Sequence, residues 1–448
     1  MAKLIPNENS PPSPIERMLS PIQEFLKLET SGGILLMLFT VIALIWANSP
    51  YSETYQHLWQ TPFTIGLGDF VLNKALILWI NDGLMAIFFF VVGLEIKREV
   101  LLGELSSVRK AALPIAAAIG GMVVPALFYI LLNAGTEGAV GWGIPMATDI
   151  AFALGVVALL GSRVPLTLKI FLTAVAIVDD IGAVLVIALF YTAQISWGSL
   201  AIGFALLAVM FLMNRLGVRH TLVYVLLGIA MWVAFLKSGV HATIAGVLMA
   251  FTIPATTRLN ANQFVDGVSN ALAYFRDAHN PGDDVIINSK QQHAVHSLEI
   301  ACEKVDTPMH RLEHALHPYV SFFIVPVFAL ANAGVTLSGD LGAAISHPVS
   351  LGIILGLILG KQIGITLFSY LSVKFGFADL PEGASWQQIY GISCLAGIGF
   401  TMSLFIANLG FGESYYLTYS KIGILSASLI AGLIGWVILY RTGNAAKS

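Results

Sequence analysis

The chain is poor in charge. Only 11% of its 448 residues are Asp, Glu, Lys or Arg, while 57% are hydrophobic. Soluble domains carry about 25% charged residues, so this composition excludes an ordinary soluble fold. Cysteine is nearly absent. Cys302 and Cys394 are the only two, one in a polar stretch and one in an apolar one, so no disulfide framework is expected. No basic stripe is present and the net charge is -3, which leaves a nucleic-acid-binding role without footing. No cleavable signal pattern precedes the first apolar segment, so that segment is expected to serve as the insertion signal.

What the chain has instead is long apolar runs, too long for the strands of a β-barrel. They predict an all-α polytopic membrane protein of about twelve transmembrane helices. The runs lie near 31–48, 75–95, 111–133, 140–160, 167–191, 198–214, 221–236, 239–253, 317–333, 349–373, 388–411 and 418–440. Loop charge agrees with an even count. With the N-terminus inside, alternation puts only Lys74, Lys237 and Lys421 outside and Lys361 within a span; the rest of the 23 Lys and Arg fall inside. That bias follows the positive-inside rule and puts both termini in the cytoplasm.

The expected organisation is a cytoplasmic segment over 1–30 and a single membrane-embedded domain over 31–448. Two connections differ from the rest. Within residues 49–74, Thr61-Pro62-Phe63-Thr64-Ile65-Gly66-Leu67-Gly68-Asp69-Phe70-Val71-Leu72 predicts an external β-hairpin turning at the glycines. An exposed two-stranded ribbon invites a second subunit. Residues 255–316 form the long polar stretch, with Asn280-Pro281-Gly282-Asp283-Asp284 and an amphipathic segment near 291–304. It reads as a cytoplasmic insert, partly disordered.

The chemistry concentrates in ionisable residues placed inside the spans: Asp82, Asp149, Asp179, Asp180, His241 and Lys361, with Glu95 and Glu99 at a cytoplasmic edge. Each carboxylate at mid-membrane costs about 2.5–3.5 kcal/mol on insertion scales, so such residues mark ion paths more often than packing. Asp179 and Asp180 are adjacent within Ala176-Ile177-Val178-Asp179-Asp180-Ile181-Gly182-Ala183. Helix neighbours point about 100° apart, so both can border one cavity, and they titrate as a coupled set. Carboxylate oxygens suit hard cations. Na+ or Li+ and protons would compete for one set of oxygens, and a site that reorients only when filled by one or the other performs exchange.

Pro145-Met146-Ala147-Thr148-Asp149 predicts a broken helix in which Thr148 or Asp149 caps the second half. Gly397-Ile398-Gly399-Phe400-Thr401-Met402-Ser403 predicts a second break in the other half of the chain. Interrupted spans in both halves point to a transporter's binding site; the competing reading is a pair of kinks that serve packing. Asp149 can offset the positive ends of the half-helices and Lys361 the negative ends. Lys361 can alternatively pair with Asp179, as a proton carrier or as a static salt bridge. Gly352, Gly356 and Gly360 form a small-residue ridge that allows close packing. His241 reads as a hydrogen-bonded histidine at a span end ahead of a pH sensor. Glu313, His314 and His317 read as a protonatable surface cluster ahead of a metal site.

These residues carry a family pattern. Ala147-Thr148-Asp149-Ile150-Ala151-Phe152, Leu168-Lys169-Ile170-Phe171-Leu172 and Ile177-Val178-Asp179-Asp180-Ile181-Gly182-Ala183 closely resemble the NhaA-type bacterial Na+/H+ antiporters. So do Trp79-Ile80-Asn81-Asp82, Val92-Gly93-Leu94-Glu95-Ile96-Lys97-Arg98-Glu99, Arg311-Leu312-Glu313-His314, Leu359-Gly360-Lys361 and the Gly397–Ser403 stretch. The rule linking broken spans to binding sites counts this family among its own examples, so the two indications overlap. The resemblance implies twelve spans, an inverted repeat, and crossed discontinuous helices in spans four and eleven. It implies electrogenic exchange in the bacterial inner membrane, two protons inward for each Na+ or Li+ outward, without a cofactor and without enzymatic chemistry. Asp180 matches the principal cation- and proton-carrying aspartate and Asp179 its neighbour. Thr148 and Asp149 match the residues of the break, and Lys361 the lysine that pairs with the Asp179 position. Glu95, Glu99, His241, Glu313, His314 and His317 match positions linked to pH response, and the hairpin matches a homodimer contact. The chain departs from the pattern in its longer 255–316 stretch and at Gln362, where a proline often follows the lysine.

Other classes fit less well. Gly66-Leu67-Gly68-Asp69-Phe70 looks like the Gly-x-Gly-Asp motif of intramembrane aspartyl proteases, but the sequence contains no Tyr-Asp pair to supply the second aspartate. A channel would want a symmetric ring or a repeated filter segment. A sodium-coupled symporter of an organic anion is the nearest rival and would need a larger polar cavity.

Overall fold

The computed structural model describes residues 31–67, 70–192, 195–257, 259–278, 288–336 and 341–443. The N-terminal segment 1–30, the Gly68-Asp69 turn and the Asn280–Asp284 stretch lie outside them. Among the described residues the fold is mostly helical, at 81%. Among the described residues, nine helices are long and apolar enough to cross a membrane. The number is eleven if each of two bent helix pairs is one span. This is a multi-pass membrane protein. In the segment expected over 239–253 the helix is Thr243–Thr252, ten residues. Gly239, at φ +83° in the left-handed region, ends the preceding helix Thr221–Ser238, and the turn through His241 takes up the remaining apolar length.

Packing divides the chain into two compact units. One comprises Met1–Asn81, Leu102–Tyr191 and Ser321–Ser448; the other comprises Asp82–Leu101 and Thr192–Val320. In the first unit, the helix Val108–Asn133 packs closely on Lys361–Lys374. A Cβ added at Gly120 would stand 2.2 Å from the Gly364 carbonyl oxygen, so backbone meets backbone there. The small-residue ridge extends this contact: Gly360 faces the Pro125 backbone and Gly352 faces Asn133 and Tyr129. Gly356–Gly360 is a π-helical turn immediately before Lys361, a feature that recurs at functional sites.

The hairpin is present as Pro62–Leu67 and Phe70–Ala75, antiparallel with Phe63 opposite Lys74 and Ile65 opposite Leu72. The strand runs on through Gly66, which pairs with Val71. Phe63, Ile65 and Val71 are exposed. In the second unit, the amphipathic segment is the helix Ser289–Val305. A further helix, Ala261–Asp277, begins at a reciprocal capping box between Asn260 and Gln263. That pattern of Asn followed three residues later by Gln is a start signal.

Candidate functional site

Both expected breaks are present, and they meet. The first span concerned runs from Glu137 to Arg163. Glu137–Met146 is a 3₁₀ helix, Ala147–Asp149 is extended, and Ile150–Leu160 is α-helical. The second consists of Trp386–Leu395 and Phe400–Phe411, bent by 45°. Gly397 and Gly399 occupy the bend because larger residues would not fit: a Cβ at Gly397 would stand 2.4 Å from the Leu357 carbonyl oxygen.

Backbone groups freed by the two breaks satisfy each other and the residues between them. The Asp149 amide donates to the Ile398 carbonyl at 2.6 Å. Asp149 is the N-cap of Ile150–Leu160, its Oδ1 accepting from the Phe152 amide at 3.0 Å. Its Oδ2 accepts from the Thr401 amide at 3.0 Å and the Thr401 hydroxyl at 2.6 Å. One carboxylate thus caps the second halves of both broken spans, where the helix dipoles present their positive ends. Of the two expected caps, Asp149 rather than Thr148 takes the role.

Thr148 faces the carboxylate pair. Its hydroxyl lies 2.8 Å from Asp179 Oδ2 and 2.8 Å from the Ala396 carbonyl oxygen. Asp179 Oδ2 also accepts from Lys361 Nζ. The ion pair is fully buried on both sides. Asp179 Oδ1 is buried and has no hydrogen-bond partner among the described residues. Asp180 is buried on the same helix, Leu166–Phe190, at 2% exposure. The structure therefore brings together Thr148, Asp149, Asp179, Asp180 and Lys361. Lys361 pairs with Asp179, the second of its two expected arrangements.

The residues matched to pH response belong to the second unit. Arg98 pairs with Glu313 and, at 3.2 Å, with Glu99. Glu95 is one turn before Glu99 on Met85–Leu102. Glu313 is buried, with Oε2 unpartnered among the described residues, whereas His314 and His317 on the same helix, Pro308–Tyr319, are exposed. His241 lies on neither helix. It is half-buried at the turn before Thr243–Thr252. Asp82 is half-buried on the π-helical turn Trp79–Leu84, its carbonyl accepting from Trp232 Nε1 at 3.0 Å. Among the described residues, no group of three or more His, Cys, Asp or Glu is arranged to hold a metal ion.

Some participants have partners that the sequence does not indicate. Thr401 joins Asp149 across 252 positions. Asn81, Asn332 and Asn408 form a buried amide cluster, Asn332 Nδ2 donating to Asn81 Oδ1 at 2.9 Å and Asn408 Nδ2 to Asn332 Oδ1 at 3.1 Å.

Residues 23–439 match the family model described as Na+/H+ antiporter 1. The chain is 57% identical to a protein of Oleidesulfovibrio alaskensis named Na(+)/H(+) antiporter NhaA, covering 96% of this chain and 95% of the relative. It is 52% identical to the protein of the same name from Koribacter versatilis, covering 98% and 96%. It is 48% identical to Na(+)/H(+) antiporter NhaA 1 of Saccharophagus degradans, covering 99% and 97%. These relatives are transporters by name, not enzymes.

Proposed function

The chain belongs to the Na+/H+ antiporter 1 family, and on that footing we propose that it exchanges Na+ or Li+ for protons by alternating access at Asp179 and Asp180. The supporting observation is the buried Lys361–Asp179 ion pair, seated between two mutually bonded helix breaks and beside a second carboxylate. Two charged groups this deep are costly to bury without a task.

The charges balance for two protons against one cation. In the proton-loaded state Asp180 is protonated, and Lys361, as an ammonium, neutralises Asp179. A Na+ ion enters as Asp180 releases its proton and Lys361 releases its own. The cation then takes the two carboxylates, with Asp179 Oδ1 free to accept it. Each cycle moves one net charge, so exchange is electrogenic. Protons move inward and Na+ outward across the bacterial inner membrane, with both termini cytoplasmic, and the activity serves Na+ and pH homeostasis. Asp149 neutralises the positive helix ends that would otherwise repel the cation.

Thr148 couples the carboxylate to the break. Its hydroxyl has one proton for two acceptors. Ionised Asp179 takes that proton and releases the Ala396 carbonyl. When a cation takes the Asp179 oxygens, the Thr148 hydroxyl turns its proton to the Ala396 carbonyl, so occupancy at Asp179 is read by the backbone of the second broken span.

The same proposal includes twelve spans built as an inverted repeat with the two broken helices crossed. It assigns pH response to Glu95, Glu99, Glu313, His314, His317 and His241, supported by the Arg98 bridge between Glu99 and Glu313. It takes a second copy of the chain at the hairpin, whose exposed Phe63, Ile65 and Val71 suit a lipid-flanked contact; a chain lacking 62–75 that stays dimeric would overturn that contact.

Inside-out vesicles with an acid interior test the function. Addition of Na+ or Li+, and not K+, should collapse the pH gradient. Exchange that requires an added organic solute would instead favour the symporter reading.

A further inference from the structure

The half-span that delivers Thr148 and Asp149 has an unusual conformation. Glu137–Met146 is a 3₁₀ helix of ten residues, although such runs rarely exceed three or four. Three hydroxyls hold it. Tyr129 Oη donates to the Gly138 carbonyl, Tyr191 Oη to the Val140 carbonyl and Ser403 Oγ to the Ile144 carbonyl, each at 2.7 Å. The donors come from three elements: the helix Val108–Asn133, the residue that closes the aspartate-bearing helix, and the second half of the other broken span. All three side chains are buried. Glycines make the approach possible. A Cβ at Gly141 would stand 2.5 Å from Tyr129 Oη, and one at Gly143 would stand 3.1 Å from Tyr191 Oη.

The conformation sets a length. A 3₁₀ helix rises about 2.0 Å per residue and an α-helix 1.5 Å, a difference of about 5 Å over this segment. Thr148 and Asp149 stand at its end, and their bonds to Asp179, Ala396, Ile398 and Thr401 span 2.6–3.0 Å. Hydrogen bonds of that kind do not survive a displacement of about 1 Å.

We propose that Tyr129, Tyr191 and Ser403 are positioning residues of the cation site: they hold Glu137–Met146 at its 3₁₀ length and so fix Thr148 and Asp149 against Asp179 and Thr401. The inference rests on the antiport reading above. It adds three residues that touch neither carboxylate of the Asp pair, and it gives the long 3₁₀ segment a purpose.

The test uses the full chain in proteoliposomes, with Na+-driven proton movement measured over a range of Na+ concentrations. Tyr129→Phe, Tyr191→Phe and Ser403→Ala should each raise the apparent KM for Na+ about two- to tenfold, the range that one neutral hydrogen bond commands. The maximal rate should change less. Ser403→Thr, which keeps the hydroxyl, should restore the KM. Phenylalanine retains the buried ring, so the tyrosine variants stay readable even where Ser403→Ala does not fold. Variants with a lower thermal midpoint and an unchanged KM would overturn the inference, because the hydroxyls would then serve stability alone. Wild-type chain that moves no protons on Na+ addition would remove the antiport reading, and this inference with it. A wild-type response with unaltered variants removes this inference only.

Discussion

Replacing Asp149 by alanine should be among the most damaging single changes in the fold, for reasons independent of ion binding. The carboxylate accepts from the Phe152 amide at 3.0 Å and from the Thr401 amide and hydroxyl at 3.0 and 2.6 Å. Loss of an N-cap costs about 1 kcal/mol. A buried amide left without an acceptor costs about 1–3 kcal/mol, and Thr401 is itself buried. The total is about 2–4 kcal/mol, a large share of the 5–15 kcal/mol typical of folded domains. Asp149→Asn should fall between, because its amide oxygen can cap one half-helix while its NH2 faces the other. The assay is unfolding of the purified chain in detergent, comparing wild type, Asp149→Asn and Asp149→Ala without Na+. An alanine variant within about 0.5 kcal/mol of wild type would refute the double-cap assignment.

Lys361→Ala should lower thermal stability and exchange together, since it strands a fully buried Asp179; unchanged pH dependence and midpoint would argue that Lys361 is neither carrier nor clamp. Acid should act through His347, just outside the span Pro348–Lys374. Its Nδ1 accepts from the Val349 amide at 3.2 Å, its ring stacks on Tyr419 at 4.1 Å, and burial holds its pKa below the ordinary histidine value. The neighbouring titratable groups are Tyr416 and Tyr419, with Glu137 reached through Tyr416. A pKa lowered by folding means that the unfolded chain binds the proton more readily. This contribution to stability is therefore intact above the unfolded pKa near 6.5 and is lost as pH falls below it. The thermal midpoint of His347→Asn, whose side chain caps without titrating, should drop less between pH 7 and 5 than that of wild type; equal drops would exclude His347.

Much of this site was legible in the sequence because its chemistry is expensive where it stands. A carboxylate pair in an apolar run, a lysine within a span and two Gly- or Pro-marked breaks are each anomalies against hydropathy, and each falls at the site. The hairpin strands were legible from turn residues and alternation. Less was readable where local rules are silent. The 3₁₀ helix Glu137–Met146 accepts hydroxyl bonds from Tyr129, Tyr191 and Ser403, which lie 9, 51 and 259 positions from their partners and are ordinary in type. The partners of Thr401 and of the Asn81–Asn332–Asn408 cluster, 252, 251 and 76 positions apart, were not legible because no local rule links them. The helix Ala261–Asp277 was readable from its Asn260–Gln263 box but was masked by a polar surrounding stretch. The helix of the expected eighth span is shorter than its apolar run, because hydropathy does not register the chain spent on the turn at Gly239.

The most direct test of the central claim is Na+-driven proton movement in inside-out vesicles carrying Asp180→Asn. The account predicts that the variant reaches the membrane folded, with a thermal midpoint near that of wild type, and that Na+ and Li+ no longer collapse the pH gradient at any pH. Near-normal exchange by that variant would contradict it and move the cation away from the carboxylate pair.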